Sequence, residues 1–323
     1  MFMQILKYIF KRILQTIPIL FIVSLISFFL IRLSPVDPLA ELKLNPAISP
    51  ITIEHETKRL GLDKPIYVQY IYWAKNFVKG DMGTTTSGEL VSQKLKERAG
   101  NTLLLSFCVI ITTWFIGIPL GVIAALNFKK TADRLILFFA TIGMAIPSFF
   151  LAVLCLIFAQ KTGAFPIGNL TSSNFYSLSL WGKFLDMAHH LVLPVFVLTI
   201  ISAGSLIRQM RANLLDTLNS DYVKFARAKG LPEHVVVIKH ALKNAINPLI
   251  TLLGFEFAGL LSGAALTEYI FQYPGLGRLI LEAVMKSDIN LVMASLMIGS
   301  FMLILGNLIA DVLLKITDPR IKS

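Results

Sequence analysis

A chain of 323 residues that is 55% hydrophobic and only 15% charged lies outside the range of soluble globular domains, in which about a quarter of residues are charged; it reads as a membrane protein. The formal net charge of +11 raises nucleic acid as a partner, but the basic residues lie mostly in short segments beside apolar runs, where orientation in a bilayer accounts for them. Cys108 and Cys155 both fall inside apolar runs, so neither a disulfide framework nor a zinc site is indicated.

The first apolar run, Ile13 to Ile31, follows Lys7, Lys11 and Arg12, and about 20 residues suffice to cross a bilayer core of ~30 Å. It leads into Arg32-Leu-Ser-Pro rather than a small-residue cleavage site, which argues for an uncleaved span with the N-terminus inside rather than a signal peptide. Residues 32–101 are polar and punctuated by Pro35, Pro38, Pro46, Pro50, Gly61, Pro65, Gly80 and Gly83. A segment of that length is largely exempt from the charge rule, and alternation of the spans puts it outside. Helical patterns at Ile53 to Leu60 and Val68 to Val78 make it a helical insertion.

Thr102 to Leu126 is the second expected span, with Gly117-Ile-Pro-Leu-Gly121 offering a small-residue face and a kink. The basic turn Asn127 to Arg134 sits inside. The third span, Leu135 to Ala159, is interrupted at Gly143 and Pro147; such breaks suit a helix lining a moving pore and are equally common in membrane helices generally. Gln160 to His190 is placed outside, with a short helix near Leu180 to Ala188. His189 and His190 are adjacent and diverge by about 100° on a helix, so they read as polar boundary residues rather than a chelate. Leu191 to Ile207, Ile246 to Leu266 and Leu291 to Ala310 complete the count.

The expected fold is therefore an all-α membrane protein of six transmembrane helices, with an extracytoplasmic helical insertion between the first and second. Its divisions are an N-terminal segment and first helix (1–31), an outer cap (32–101), a five-helix core (102–314) and a cytoplasmic tail (315–323).

Within the core, the segment 208–245 stands out. From Arg208 to Lys243 it carries Arg208, Arg211, Lys224, Arg227, Lys229, Lys239 and Lys243 against Asp216, Asp221 and Glu233, a balance that belongs on the cytoplasmic side. Inside it Tyr222-Val-Lys-Phe-Ala-Arg-Ala-Lys-Gly230 is a short helical pattern stopped by Gly230 and Pro232. Ala226, Ala228 and Gly230 allow close approach, Tyr222 and Phe225 can fill a pocket, and Lys224, Arg227 and Lys229 can pair with acids on a partner's rim. A merely orienting basic turn explains the charges but not the Gly/Ala spacing.

No Gly-x-x-x-x-Gly-Lys-Ser/Thr occurs in the chain, so it lacks a phosphate-cradling loop of that kind, and no convincing catalytic triad or metal-ligand cluster is legible. Glu256 lies well inside an apolar span, where an ionised carboxylate costs ~3 kcal/mol on insertion scales. Two readings stand for it: a residue lining a translocation path, or a protonated or paired carboxylate fixing helix packing. Glu268, Arg278, Glu282 and Asp288 fall near the outer ends of the last two spans; they could touch a docked protein, but charges near an interface are usually just solvated. A channel would need a filter-like ring and a membrane-embedded enzyme a polar site at depth; Glu256 alone provides neither.

Ala226-Arg-Ala-Lys-Gly-Leu231, His240-Ala-Leu-Lys-Asn-Ala245 and Pro248 resemble the signature loop of permease subunits of binding-protein-dependent ABC importers, in the branch that moves peptides and nickel. The resemblance extends through Leu261-Ser-Gly-Ala-Ala-Leu-Thr-Glu268, Phe271-Gln-Tyr-Pro-Gly-Leu-Gly-Arg278 and Asp318-Pro-Arg320, and upstream through Arg32-Leu-Ser-Pro-Val-Asp-Pro38, Gly61-Leu-Asp-Lys-Pro65, Gln69-Tyr70 and Gly80-Asp-Met-Gly83. It implies a six-span, multi-pass protein of the bacterial inner membrane with both termini cytoplasmic. It also implies a homologous permease partner, two cytoplasmic ATPase subunits that hold the ATP and Mg, and an extracytoplasmic substrate-binding protein. The chain itself would bind no cofactor and catalyse nothing. Residues from Asp221 through Tyr222, Lys224, Phe225, Ala226, Arg227, Ala228 and Lys229 to Gly230 would meet the ATPase. Short peptides are the expected cargo, with nickel or a metal chelate as the alternative.

Overall fold

The computed structural model describes residues 2–33, 39, 43, 48–59, 61–286 and 288–317. Helices dominate: α1 (Phe2–Leu33), α2 (Pro50–Arg59), α3 (Ile66–Val78), α4 (Val91–Leu126), α5 (Thr131–Ala145), α6 (Ser148–Thr162), α7 (Leu180–Leu218), α8 (Asp221–Ala228), α9 (Asn247–Gly263), α10 (Ala265–Ile270), α11 (Leu276–Met285) and α12 (Ile289–Thr317). Between α8 and α9 a π-helical turn, Val236–Leu242, joins short α turns at Glu233–Val235 and Lys243–Ala245. Long helices follow from long apolar runs, because backbone groups in hydrocarbon must be satisfied within their own segment. Among the described residues the extended structure amounts to one isolated bridge, Thr84 to Leu90.

Among the described residues four stretches are long and apolar enough to cross a bilayer: Ile9–Leu33, Val91–Leu126, Leu180–Leu218 and Ile289–Ile309. α5 and α6 together make a fifth if the pair, bent by 95°, counts as one span. The bend falls at Ile146 and Pro147, where proline supplies no backbone donor to continue α5. α9, with 17 residues, is about 26 Å long and shorter than these.

Contacts fix the directions of the central helices. A Cβ on Gly117 would meet Leu206, and one on Gly121 would meet Met210 and Ile207, so α4 and α7 run parallel. α5 is antiparallel to α7, because Asp133 bonds Arg211 while Gly204 abuts Ala140 and Gly143 abuts Ile200. Beyond the bend the path continues along α7: Ala164 meets His189, and Ser172 meets Asp186. From Arg211 back to Asp186 is roughly 37 Å of helix, so between residues 133 and 172 the chain returns along α7 over that length. At the other side α1 and α12 are antiparallel, with Arg12 bonding Asp311 at 2.6 Å near one end and Phe28 packing with Met293 near the other.

Several boundaries differ from the sequence expectation, most of them because helices continue past their apolar runs where they find partners. α4 begins at Val91, so the boundary expected at 101/102 falls inside a helix; Val91 and Leu95 are buried against Leu276, Leu279 and Leu291. The short helix expected at 180–188 and the fourth span are one helix, and α7 continues through Leu218 to form the first part of the basic segment. The third span, expected as an interrupted helix, is two. Helix α2 ends at Arg59, and Leu60 lies outside the described residues, as do Ser34 to Pro38 and Asp318 to Ser323. At the insertion's end, Tyr70 bonds Ser24 at 2.9 Å, the Thr86 amide donates to Asp288 at 2.8 Å, and Asn290 donates to the Thr84 carbonyl at 3.1 Å. These contacts lay α3 and the 83–90 segment over α1 and the start of α12.

Candidate functional site

The turn Asn219–Ser220 ends α7 and launches α8 back along it. Val223 and Ala226, three residues apart, share one helical face and are 0% and 5% exposed, packed with Met210, Leu214, Val236 and Ala241. The opposite face carries Tyr222, Phe225 and Ala228, and Phe225 is 62% exposed. Amphipathic helices normally turn aromatics inward; α8 turns Phe225 outward. Gly230, next but one after its end, has φ +76° with nothing within 4 Å of a Cβ position, so glycine is required there for its dihedral and not for room.

The charges of this turn are largely spent within the chain. Arg227 forks onto Glu233, with Nη2 to Oε1 at 2.7 Å and Nε to Oε2 at 3.1 Å, and its Nη1 donates to the Leu218 carbonyl at 3.3 Å. Hydrogen bonding from Arg227 holds the Glu233 carboxyl below its ordinary range, opposed by a small desolvation. Lys224 lies 3.2 Å from Asp221, and the Lys229 ammonium sits 4.7 Å from the Phe225 ring centroid. Asn244 donates to the Tyr222 hydroxyl at 3.0 Å.

Two ties join this surface to the spans. Arg211 forks onto Asp133, at 2.6 and 2.8 Å, and Asp133 is 2% exposed. Asn213 donates to the Ala245 carbonyl, just before α9, at 3.2 Å. Of the residues expected to meet a partner, Tyr222, Phe225, Ala228, Lys229 and Gly230 are exposed together, with Asp221 and Lys224 beside them. Ala226 faces inward, and Arg227 is engaged by Glu233. Sequence reasoning missed Val223, the buried anchor, although its three-residue spacing from Ala226 signals it; the pairing of Arg211 with Asp133 across 78 positions leaves no local signal.

Glu256 is half-buried on α9 and accepts a hydrogen bond from Trp114 Nε1 of α4 at 2.9 Å. His189 and His190 do not converge: His189 Nε2 lies 3.0 Å from the Ala164 carbonyl and His190 Nδ1 lies 2.8 Å from the Asp186 carbonyl. Among the described residues no group of three or more His, Cys, Asp or Glu is placed to hold a metal ion.

At the other end of the bundle the solvated reading of the charges is corrected. Glu268 is 0% exposed, and accepts from Thr102 Oγ1 at 2.8 Å and from the Arg278 amide at 2.9 Å. Thr102 in turn accepts from the Leu276 amide at 2.7 Å, while Asn101 donates to the Pro274 carbonyl and accepts from the Tyr273 hydroxyl. Tyr273-Pro-Gly-Leu-Gly277 thus wraps one carboxyl and is clasped to α4. Burial raises the Glu268 carboxyl above its ordinary range, with the Arg278 amide and Thr102 opposing; burial, then Glu268, pushes the Tyr273 hydroxyl up as well, keeping it a donor. Asp288, 4% exposed, accepts from the amides of Thr86 and Leu291. Arg278 and Glu282 pair at 2.6 Å.

Residues 117–323 match the family described as binding-protein-dependent transport system inner membrane component, and residues 5–90 match that family's N-terminal region. The chain is 39% identical over 98% of its length to the oligopeptide transport system permease protein AppB of Bacillus subtilis (strain 168), covering 99% of that protein. It is 35% identical over 98% of its length to the glutathione transport system permease protein GsiC of Escherichia coli O6:H1, again covering 99%. A putative peptide transport system permease protein of Brucella abortus (strain 2308) is 34% identical over 97% of the chain and 98% of its own length. With more than half of the chain matched, and relatives aligned nearly end to end, this protein belongs to the inner membrane components of binding-protein-dependent transport systems.

Proposed function

We propose that the chain is the transmembrane permease subunit of an ABC importer for short peptides. The observation that carries this reading is the bare face of α8: Tyr222, Phe225 and Ala228 stand exposed on a helix whose other face is packed onto α7. A short helix held firmly on one side and uncovered on the other suits a groove in a cytoplasmic ATPase. Two such ATPases hold the ATP and Mg; this chain contributes the path and the coupling surface, with no cofactor or hydrolysis of its own. A homologous permease encloses the path from the other side, and an external binding protein delivers cargo. The names of the relatives, for oligopeptide and glutathione transport, support peptide as that cargo.

Closure of the ATPases moves α8. The Arg211–Asp133 fork passes that motion to α5, and the Asn213–Ala245 bond passes it to α9. Differential contacts in inward-open and outward-open arrangements then supply alternating access. In this reading α1, α4, the α5–α6 pair, α7, α9 and α12 are the six spans of an inner-membrane protein. Both termini, the tail 315–323 and the 208–245 segment are cytoplasmic, and 32–101 caps the outside. Co-purification tests it: the chain should bring down an ATPase, and Gly230→Val, which forces a bulky residue to φ +76°, should lose that association together with peptide uptake. Uptake that survives Gly230→Val, or labelling of Lys224 and Lys229 only from outside the cell, would defeat the proposal.

A further inference from the structure

Midway along α9 the apolar packing of the bundle changes partners. Leu249 and Leu252 belong with Met210, Leu214 and Val223 to the cluster behind α8. Leu260 and Ala264 belong with Leu105, Val109 and Val197 to the cluster that reaches Tyr273. On α4 the same change falls between Ile110, which packs with the second cluster, and Trp114, which packs with the first. The Trp114–Glu256 hydrogen bond, 2.9 Å long, lies at this boundary, with the indole packed on the side of the first cluster. Glu256 stands about 13 Å along α9 from its start and about 10 Å from its end, so this polar level is deep in the helix.

A carboxylate offers two oxygens and about four acceptor sites, and Trp114 takes one of them. Among the described residues no ion pair neutralises Glu256. The indole N–H can only donate; it cannot carry the charge away, but it fixes which way the carboxylate points and leaves Oε1 for another donor. The adjacent ring face is itself attractive to a cation.

We infer that Glu256, oriented by Trp114, is a station for the α-ammonium group of a peptide in transit between the two apolar clusters. The inference rests on the importer reading above, in which cargo passes this level with its amino terminus charged below a pKa of ~8. One carboxylate suits passage, since a site in a pathway must attract cargo and still release it.

The test uses the assembled transporter in proteoliposomes, with tri-alanine and N-propionyl-dialanine as cargo, the second being the same length without the ammonium. Affinity of the binding protein for each is measured separately, and uptake is compared at equal loading. Glu256→Gln should slow tri-alanine about tenfold, the factor for one charge-assisted hydrogen bond, and leave the analogue within about twofold; Glu256→Asp should retain part of the preference for ammonium. Equal slowing of both cargoes, loss of the partner permease from Glu256→Gln complexes, or no change with either would overturn the station. If the analogue does not load, the ratio of wild-type to Glu256→Gln uptake of tri-alanine decides. It should fall toward one as the pH rises through about 8 and the ammonium discharges, and a constant ratio overturns the proposal. Failure of the wild type to import either cargo is a different result: it removes the peptide reading, and the station with it.

Discussion

Replacing Gly275 by alanine tests the buried clasp at the end of the bundle away from α8. A Cβ there would lie 2.3 Å from Cδ, Oε1 and Oε2 of Glu268, against 3.4–4 Å for ordinary contact. The carboxyl cannot swing into solvent, because Glu268 is 0% exposed and is held from two sides, by Thr102 at 2.8 Å and by the Arg278 amide at 2.9 Å. A displacement of about 1 Å lengthens both bonds beyond the usable range. Each buried group left without its partner costs about 1–3 kcal/mol, so the substitution should destabilise by about 2–6 kcal/mol. Thermal unfolding of the purified protein in detergent should show this as a fall of roughly 3–9 °C in Tm, at about 1.5 °C per kcal/mol for a chain of this size. Removing the obstacle separates the clash from a loss of backbone freedom, which Gly275, at φ −102°, does not need. In a Glu268→Ala background, Gly275→Ala should cost less than about 1 kcal/mol more, a strong coupling in a double-mutant cycle. A Tm unchanged in the single variant, or additive losses in the double, would refute the reasoning.

Arg211→Ala should strand the buried Asp133 carboxylate and cost about 3–5 kcal/mol, whereas the Arg211→Ala/Asp133→Ala double variant should recover part of it; chemical denaturation of both checks this. Phe225→Ala, at an exposed position, should change stability by less than ~0.5 kcal/mol yet reduce ATPase co-purification. Val223→Ala, at 0% exposure, should instead destabilise by about 1–2 kcal/mol, and thermal melts of the two side by side make the comparison. Glu233 has a folded pKa depressed below 4.5 by Arg227. Its stabilising contribution is therefore present above that value and lost as the pH falls through the depressed one. Because the pair is largely exposed it is worth at most ~1 kcal/mol, and the protection factors of amides in residues 218–233, taken against the unfolded-chain exchange rate at each pH, should fall modestly below pH 4.5 in the wild type but not in Glu233→Gln.

The amino-acid sequence alone determines the membrane class, the places of the long apolar helices, the break near Pro147 and the short helix stopped just before Gly230, because these follow from local quantities: hydropathy over one span, a missing backbone donor, a dihedral that glycine tolerates. It also singles out Glu256 as a costly residue in its setting. Only the tertiary structure decided how far each helix runs beyond its apolar stretch, since Val91 and Leu95 extend α4 by packing against α11 and α12. It likewise decided that α5 and α6 meet at 95°. Charge is where local reading fails most. Glu268 and Asp288 look like surface carboxylates until Thr102, the Arg278 amide and the Thr86 amide arrive from distant segments to replace water, and Ala226 looks available until α7 covers it. Solvation of a side chain is a property of everything that surrounds it, and most of those neighbours lie far away along the chain.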